Sequence, residues 1–570
     1  MIKKPSIWME AIRSGLIGGA ASLLLCLVGM VVEFSGRYII SGVISMGQIF
    51  VIAPIIVFAY TVARRSTASR VQTLLVGAVA GLSGGVILAA LVLLGQVINL
   101  RAMFINASPE LYALLTFDSS VTVGVLALLA VSALMGLLGA GLSFLPPRWR
   151  RTVIQALFGM ILIGLLRDLI VTIAQNWGSA APVITWMFAR SGLNLIGTLF
   201  LLVLIGGLAY WRYSDPLKPA PIAISKRSPE QQKWIRWGGL AILGLVLIFL
   251  PRILGIFISD VLDTVGLFIL MGLGLNIVVG FAGLLDLGYV AFWAIGAYMM
   301  GVLTSPELTS HPLNYWVALP IALVVAVFSG VIFGLPVLKM RGDYLAIVTL
   351  GFGEIVRLLV LSDWLRPWLG GTQGIQLIAH PTIGPLDFGS QQMLYIVILA
   401  FIGIAAFIAW RLKDSRLGRS WMALREDEDV AKAMGINHVT TKLLAFATGA
   451  FFAAMSGTLF AAKLSSTYPQ SFQFLVSINV LSLIIIGGMG SIPGVFIGGL
   501  VLMGLPELLR EFADYRYLVY GAVLVAMMLM KPEGLIPEER RKLELHEELM
   551  PEPSVGLEPE PVSAKTEGRS

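Results

Sequence analysis

A chain of 570 residues that is 57% hydrophobic and only 13% charged, with a mean hydropathy of +0.87, is not an ordinary soluble globule, in which about 25% of residues are charged. A single cysteine, Cys26 in the first apolar run, excludes an intrachain disulfide framework and a cysteine-based metal site. The net charge of +7 does not indicate a nucleic-acid partner, because in a membrane protein Lys and Arg mark the cytoplasmic side.

The first apolar run, Ile12 to Val32, is followed by no small-residue cleavage site and has the length of a membrane span, so a retained first helix is expected. Five more runs in the first third fall near 39–62, 71–95, 119–145, 152–173 and 193–210. A polar, proline-containing stretch, 211–237, then reads as a cytoplasmic linker and divides a six-helix block (1–210) from a second membrane region (238–535). Spans in that region fall near 238–250, 262–282, 284–303, 315–338, 344–362, 393–410 and 443–462. In 475–530, glycines and Pro493 interrupt the pattern, which leaves room for two or three segments. The charged, proline-rich end, 536–570, reads as a disordered cytoplasmic tail.

The expected class is therefore an all-α, polytopic transmembrane helix bundle in the cell membrane, with about 14–16 segments and both termini cytoplasmic. Charge supports that orientation. The segments placed inside (1–11, 63–70, 146–151, 211–237, 339–343, 411–442 and 531–570) hold 29 of the 40 Lys and Arg, against 8 outside.

Polar side chains at membrane depth are costly and mark pathways. Arg167 and Asp168 are adjacent, so they point in different directions and each is expected to pair with another helix. Asn276 and Asp286 flank a glycine-rich stretch, GLNIVVGFAGLLDLGYVAFWAIGAY, in which close packing or a broken helix is expected. Asp286 requires a partner, water or a place near the membrane edge. Glu354 and Arg357, three residues apart, share a helical face and read first as an internal ion pair, second as a gate. The loop WLGGTQGI (368–375) exposes backbone N–H groups that either form an anion nest or belong to an ordinary loop. Asn479 and Ser482 precede a Gly-Pro break whose half-helix ends are suited to lining a cavity. Asn276, Asp286, Glu354, Arg357, Asn479 and Ser482 are the pathway candidates.

The charged island 411–442 stands apart from its apolar surroundings. Leu417, Trp421, Leu424, Ala431 and Met434 recur in it at helical spacing among charged residues. It reads either as an amphipathic helix lying on the membrane surface or as a surface for a partner. The chain carries no GxxxxGK[ST] phosphate loop. His311, His380, His438 and His546 are scattered, so no metal cluster and no nucleophile–base pair is expected. The chain reads as a transport subunit rather than an enzyme, with no cofactor of its own.

Five stretches occur in the order found in LivM-type permeases, the membrane subunits of ATP-binding-cassette importers for branched-chain amino acids: GLNIVVGFAGLLDLGYVAFWAIGAY, RGDYLAIVTLGFGEIVRLL, GGTQGI, GRSWMALREDEDVAKAMGI and IIIGGMGSIPGVFIGG. The region 238–535 resembles that family. The resemblance implies that 411–442 is a coupling loop for a separate cytoplasmic ATPase, which hydrolyses the ATP. It also implies a LivH-type partner permease and an extracytoplasmic substrate-binding protein. The stretch from Glu426 to Gly435 is similar to the family's docking loop, so Leu417, Trp421, Leu424, Glu426, Ala431, Met434 and Gly435 are the coupling candidates, with Trp421 foremost. Permeases of urea and amide importers share much of the pattern, and an ion-driven carrier using Asp286 and Glu354 is the remaining alternative. Block 1–210 has no counterpart in a typical LivM-type chain and reads as an accessory domain or a diverged partner-like half.

Overall fold

The computed structural model describes residues 6–65, 69–214, 229–337, 340, 342–508 and short stretches between 521 and 538. Most of the expected linker (215–228), the greater part of the tail (539–570) and residues 509–520, where a third pass in 475–530 was expected, lie outside the described residues. The chain forms two compact units, Met1–Leu247 and Ile248–Ser570.

In the first unit the helices are α1 (Ile7–Val28), α2 (Met46–Arg65), α3 (Arg70–Val97), α4 (Pro109–Leu115), α5 (Val121–Gly141), α6 (Pro147–Leu165), α7 (Arg167–Gln175) and α8 (Leu195–Ser214). A short hairpin, β1 (Tyr38–Ile40) and β2 (Ile44–Ser45), precedes α2. Helices α1, α2, α3 and α5 pack as a bundle, and α6 packs on α8. Lipid is as apolar as leucine, so helix association in a membrane relies on close backbone approach at small residues. This bundle follows that rule. Gly81 on α3 faces the Ser132 carbonyl of α5, and Gly136 on α5 faces the Gly77 carbonyl of α3, so near that a Cβ at either position would collide with the carbonyl. The expected span 152–173 breaks at Leu166, where α6 and α7 meet at 62°. At that break Arg167 pairs with Asp168 itself rather than with another helix, and its Nε also donates to the Ala189 carbonyl at 3.1 Å.

In the second unit, α9 (Pro229–Leu275) includes its first residues from before the division. Two spans were expected here, near 238–250 and 262–282, and the stretch is indeed two helices joined at a kink, where Gly255 leaves helical dihedrals at φ 84° and ψ −178°. A π-helical turn, Asn276–Phe281, follows, then α10 (Val290–Thr304), α11 (Tyr315–Val337), α12 (Asp343–Leu361), α13 (Gln391–Lys413), α14 (Arg416–Glu426), α15 (Glu428–Ala433), α16 (His438–Leu464), α17 (Phe474–Gly487) and α18 (Ile492–Gly499). α16 is the hub: α10 and α11 both pack along it, and most of its length is buried. Among the described residues nine helices are long and apolar enough to cross a membrane, or eleven if each bent pair counts as one span. Leu195–Trp211 and Val290–Thr304 are shorter apolar helices. The chain is a multi-pass helical membrane protein.

The packing of α3 against α5 generates a prediction. Gly136→Val should destabilise the protein by about 3 kcal/mol or more, through overpacking against the Gly77 carbonyl. Gly141→Ala, which meets nothing within 4 Å, should change stability by about 0.5 kcal/mol or less. Thermal unfolding of both variants in detergent, read against the parent, checks this.

Candidate coupling platform and membrane pathway

α13 ends at Lys413 and α16 begins at His438, so the charged island projects as 414–437. Its two helices are built by side-chain caps. Ser415 Oγ accepts from the Gly418 N–H at 3.1 Å and starts α14. Asp427 Oδ1 accepts from the N–H groups of Asp429 (2.8 Å) and Val430 (2.9 Å) and starts α15. α15 ends in a Schellman turn: the Ile436 N–H donates to the Ala431 carbonyl, and the Gly435 N–H to that of Lys432. Gly435 takes the left-handed position with φ +87°, where any side chain is strained.

The coupling candidates divide into two sets. Trp421 is fully buried, with its Nε1 donating to the Thr441 carbonyl at 2.9 Å. Leu424 and Ala431 are buried, and Leu417 packs on the core of the unit. Lys442 at the start of α16 is buried and pairs with Glu428 at 2.8 Å. These groups hold the platform to the bundle. Trp421 therefore offers no surface to a partner, contrary to its expected place at the head of a contact face. The free surface belongs to Met434 (79% exposed), Val430 (59% exposed), Glu426 and Gly435. Val430 escaped the sequence reading because it lies off the apolar stripe that seats the helix.

Beside the platform, four segments meet. The π-helical turn 276–281 leaves the Gly280 carbonyl without a helical donor, and Arg425 of α14 supplies one, Nη1 to O at 2.8 Å. The Asn276 Oδ1 accepts from the Gly490 N–H at 2.8 Å. Gly490 sits in the bend between α17 and the helix that follows, where the chain turns by 119°. The last carbonyls of α17, Ile486 and Gly487, accept from the N–H groups of Leu535 (2.8 Å) and Ile536 (3.0 Å). Lys413 closes the cluster, 2.6 Å from Glu538 and 5.8 Å from the centre of the Phe281 ring. Arg425, Lys413 and Glu538 were not legible as site residues, since in sequence they look like any charges near a span end.

The other pathway candidates lie in different surroundings. Asp286 falls in the non-helical stretch before α10 and is buried. Its Oδ1 accepts from the Gly288 N–H at 2.9 Å, while its Oδ2 has no partner among the described residues. Glu354 and Arg357 on α12 pair with each other at 2.8 Å and are partly exposed. Ser482 is buried and Asn479 half-buried on α17. The structure thus joins Asn276 to the bend after α17 but leaves Glu354 and Arg357 as a self-contained pair.

Sequence reading also passed over Asp263, whose two carboxylate oxygens are buried on α9 with no hydrogen-bond partner among the described residues. Its signal, one carboxylate inside an apolar run, was visible. At this end of the unit Lys463 bonds Asp260 at 3.1 Å and Thr264 at 2.6 Å. Loop 368–375 is held in place: β3 (Ile375–Gln376) pairs with β4 (Ser466–Thr467). Between the ends of the unit, Trp293 packs at a tilt on Phe460 (ring centres 4.4 Å apart) and edge-to-face on Phe472 (4.9 Å), and the Trp293 Nε1 and Tyr298 Oη have no partner among the described residues. No group of three metal-ligating side chains occurs among the described residues.

Residues 257–528 match the family described as branched-chain amino acid transport system, permease component. The chain is 40% identical over 309 residues to the high-affinity branched-chain amino acid transport system permease protein LivM of Salmonella typhimurium and, to the same extent, of Escherichia coli K12, covering 50% of this chain and 71% of each relative. It is 25% identical over 289 residues to the LivH permease protein of Salmonella typhimurium, covering 47% of this chain and 90% of that one. No solved structure matches. With the matched segment confined to the unit that carries the platform and the broken helices, the chain belongs to the branched-chain amino acid transport system permease family.

Proposed function

We propose that the chain is the cell-membrane permease subunit of an importer of branched-chain amino acids, paired with a LivH-type permease, driven by a separate cytoplasmic ATPase and supplied by an extracytoplasmic binding protein. The observation that carries the reading is the platform itself, a two-helix projection seated by buried Trp421 and Lys442 with its free apolar side chains, Val430 and Met434, facing away from the bundle. The printed names of the relatives supply the solute class. ATP binding closes the ATPases, and their movement is passed through α14 and α15 to the bundle, switching the pathway between its two accesses. Arg425 is the contact through which α14 moves the π-helical turn, and Asn276 links that turn to the bend after α17. Glu426 and Gly435 border the docking surface. Asp286, Asn479 and Ser482 line the route, and Glu354–Arg357 neutralise each other at its side.

In vesicles holding the complete complex, ATP-dependent uptake of leucine, isoleucine or valine tests the reading. Uptake of urea or amides instead would reassign the solute, and uptake by the chain alone under an ion gradient would overturn the coupling.

The platform makes two further predictions. Val430→Asp with Met434→Asp should leave unfolding within about 0.5 kcal/mol of the parent, since both sites are exposed, yet reduce uptake by roughly tenfold or more through lost apolar contact. Trp421→Ala should instead unfold more easily by about 3–5 kcal/mol, because it empties a buried site. Thermal unfolding measured beside uptake separates the two. Arg425→Gln should keep ATP hydrolysis while uptake falls, with Arg425→Lys intermediate. Equal loss of hydrolysis and uptake in Arg425→Gln would show a docking defect rather than a transmission one.

A further inference from the structure

The first unit contains a two-part cavity that the transport reading does not use. Its inner part, about 210 Å³, lies between α2 and α5 and is lined by Val51, Ile52, Ile55, Leu128, Val131 and Met135, with Ser132 at its wall. Its outer part, about 600 Å³, opens between the β1–β2 hairpin and α4, and the two share Val43, Gln48, Leu114 and Phe117. The outer lining includes the carboxylates of Glu110 and Asp118 and no Lys, Arg or His. Nearby Arg37 is engaged elsewhere, with its guanidinium 5.9 Å from the centre of the Phe34 ring. Ser132 is buried at the wall of the chamber, with its side chain against Gly85 of α3.

The neck between the parts is built at a conformational cost. α4 ends in a Schellman turn, with the Phe117 N–H on the Leu114 carbonyl and that of Asp118 on Ala113. The position glycine normally fills in such a turn is Phe117, at φ +55°, followed by Asp118 at φ +54°. A bulky residue in this region is an outlier, and such strain gathers at ligand clamps. Here the strain places the Phe117 ring in the neck and starts the acidic rim at Asp118.

We infer that this cavity is a binding site for a small amphipathic cation, an ammonium group carrying an apolar tail of about six carbons. A chamber of 150 Å³ accepts benzene, and 210 Å³ is somewhat larger. The tail enters between α2 and α5, and the ammonium stays in the outer part opposite Glu110 and Asp118. Charge decides the class: two carboxylates with no lining cation repel an anionic headgroup and attract a positive one.

The test uses the full chain in nanodiscs and titrates n-hexylammonium against n-hexanoate by calorimetry. Saturable binding of the ammonium alone is expected. Glu110→Gln with Asp118→Asn should weaken it at least tenfold. Phe117→Gly relieves the turn, so it should match or exceed the parent in thermal stability and still lose binding at least tenfold. Equal binding of hexanoate, no saturable binding, or unaltered affinity in Phe117→Gly would overturn the site. So would a phospholipid retained by the parent and released by that variant, which would make the cavity an acyl-chain seat.

Discussion

A helix that stops within an apolar layer leaves carbonyls and amides that nothing in that layer can satisfy. The permease unit breaks two helices beside the platform, and the arrangement there follows from this constraint. The π-helical turn frees the Gly280 carbonyl and α17 frees those of Ile486 and Gly487. Each receives a donor from a different segment: Arg425 from the platform, and Leu535 and Ile536 from the returning chain. The break in one helix is satisfied by the end of another, so none of these parts can shift without breaking buried hydrogen bonds elsewhere. An unmade buried hydrogen bond costs about 1–3 kcal/mol, so each of these contacts opposes separation of the segments it joins. In the proposed coupling, a joint of this kind is what would carry a push on α14 to α17 and the bend after it.

The platform follows the same division between seating and contact. In the proposed coupling, the platform must be held more firmly to its own bundle than to its partner. The buried indole of Trp421, its hydrogen bond to Thr441 and the Lys442–Glu428 pair supply the firm end. Docking surfaces gain from exposed apolar side chains that become buried only on contact, and Val430 and Met434 have that character. A single amphipathic stripe serves both ends only because two short helices, separated at the Asp427 cap, present different faces.

This explains how far the sequence could be read. Helical periodicity singled out Leu417, Trp421, Leu424, Ala431 and Met434 as one set, because spacing reports which residues share a face and not whether that face looks inward or outward. Burial of Trp421 and exposure of Met434 depend on where α14 and α15 lie against α16, which no local pattern encodes. The glycine breaks at 276–283 and 487–494 were legible because backbone freedom is a property of residue type. The partner of the Gly280 carbonyl was not, since Arg425 lies 145 residues away and meets it only through the fold. Asp286 was read within a span, yet it falls in the non-helical stretch before α10, where its Oδ1 is held by the Gly288 N–H. The division of α9 was legible as well: the kink at Gly255 falls in the gap between the expected spans 238–250 and 262–282.

The first unit puts the same physics to another use. Its helices possess the small residues needed to close fully, and α3 against α5 does close, carbonyl to glycine. Between α2 and α5 the facing side chains are Ile52, Ile55, Val131 and Met135, which fill space less completely and leave the chamber. A chain that can bring backbones into contact on one side of α5 and yet holds an open cavity on the other is not short of packing residues. The strained turn at Phe117 points the same way, because glycine there would relieve the backbone, and the strain persists only where the ring has a place to be. Empty volume and stored strain each lower stability, and in this unit they occur at the same neck.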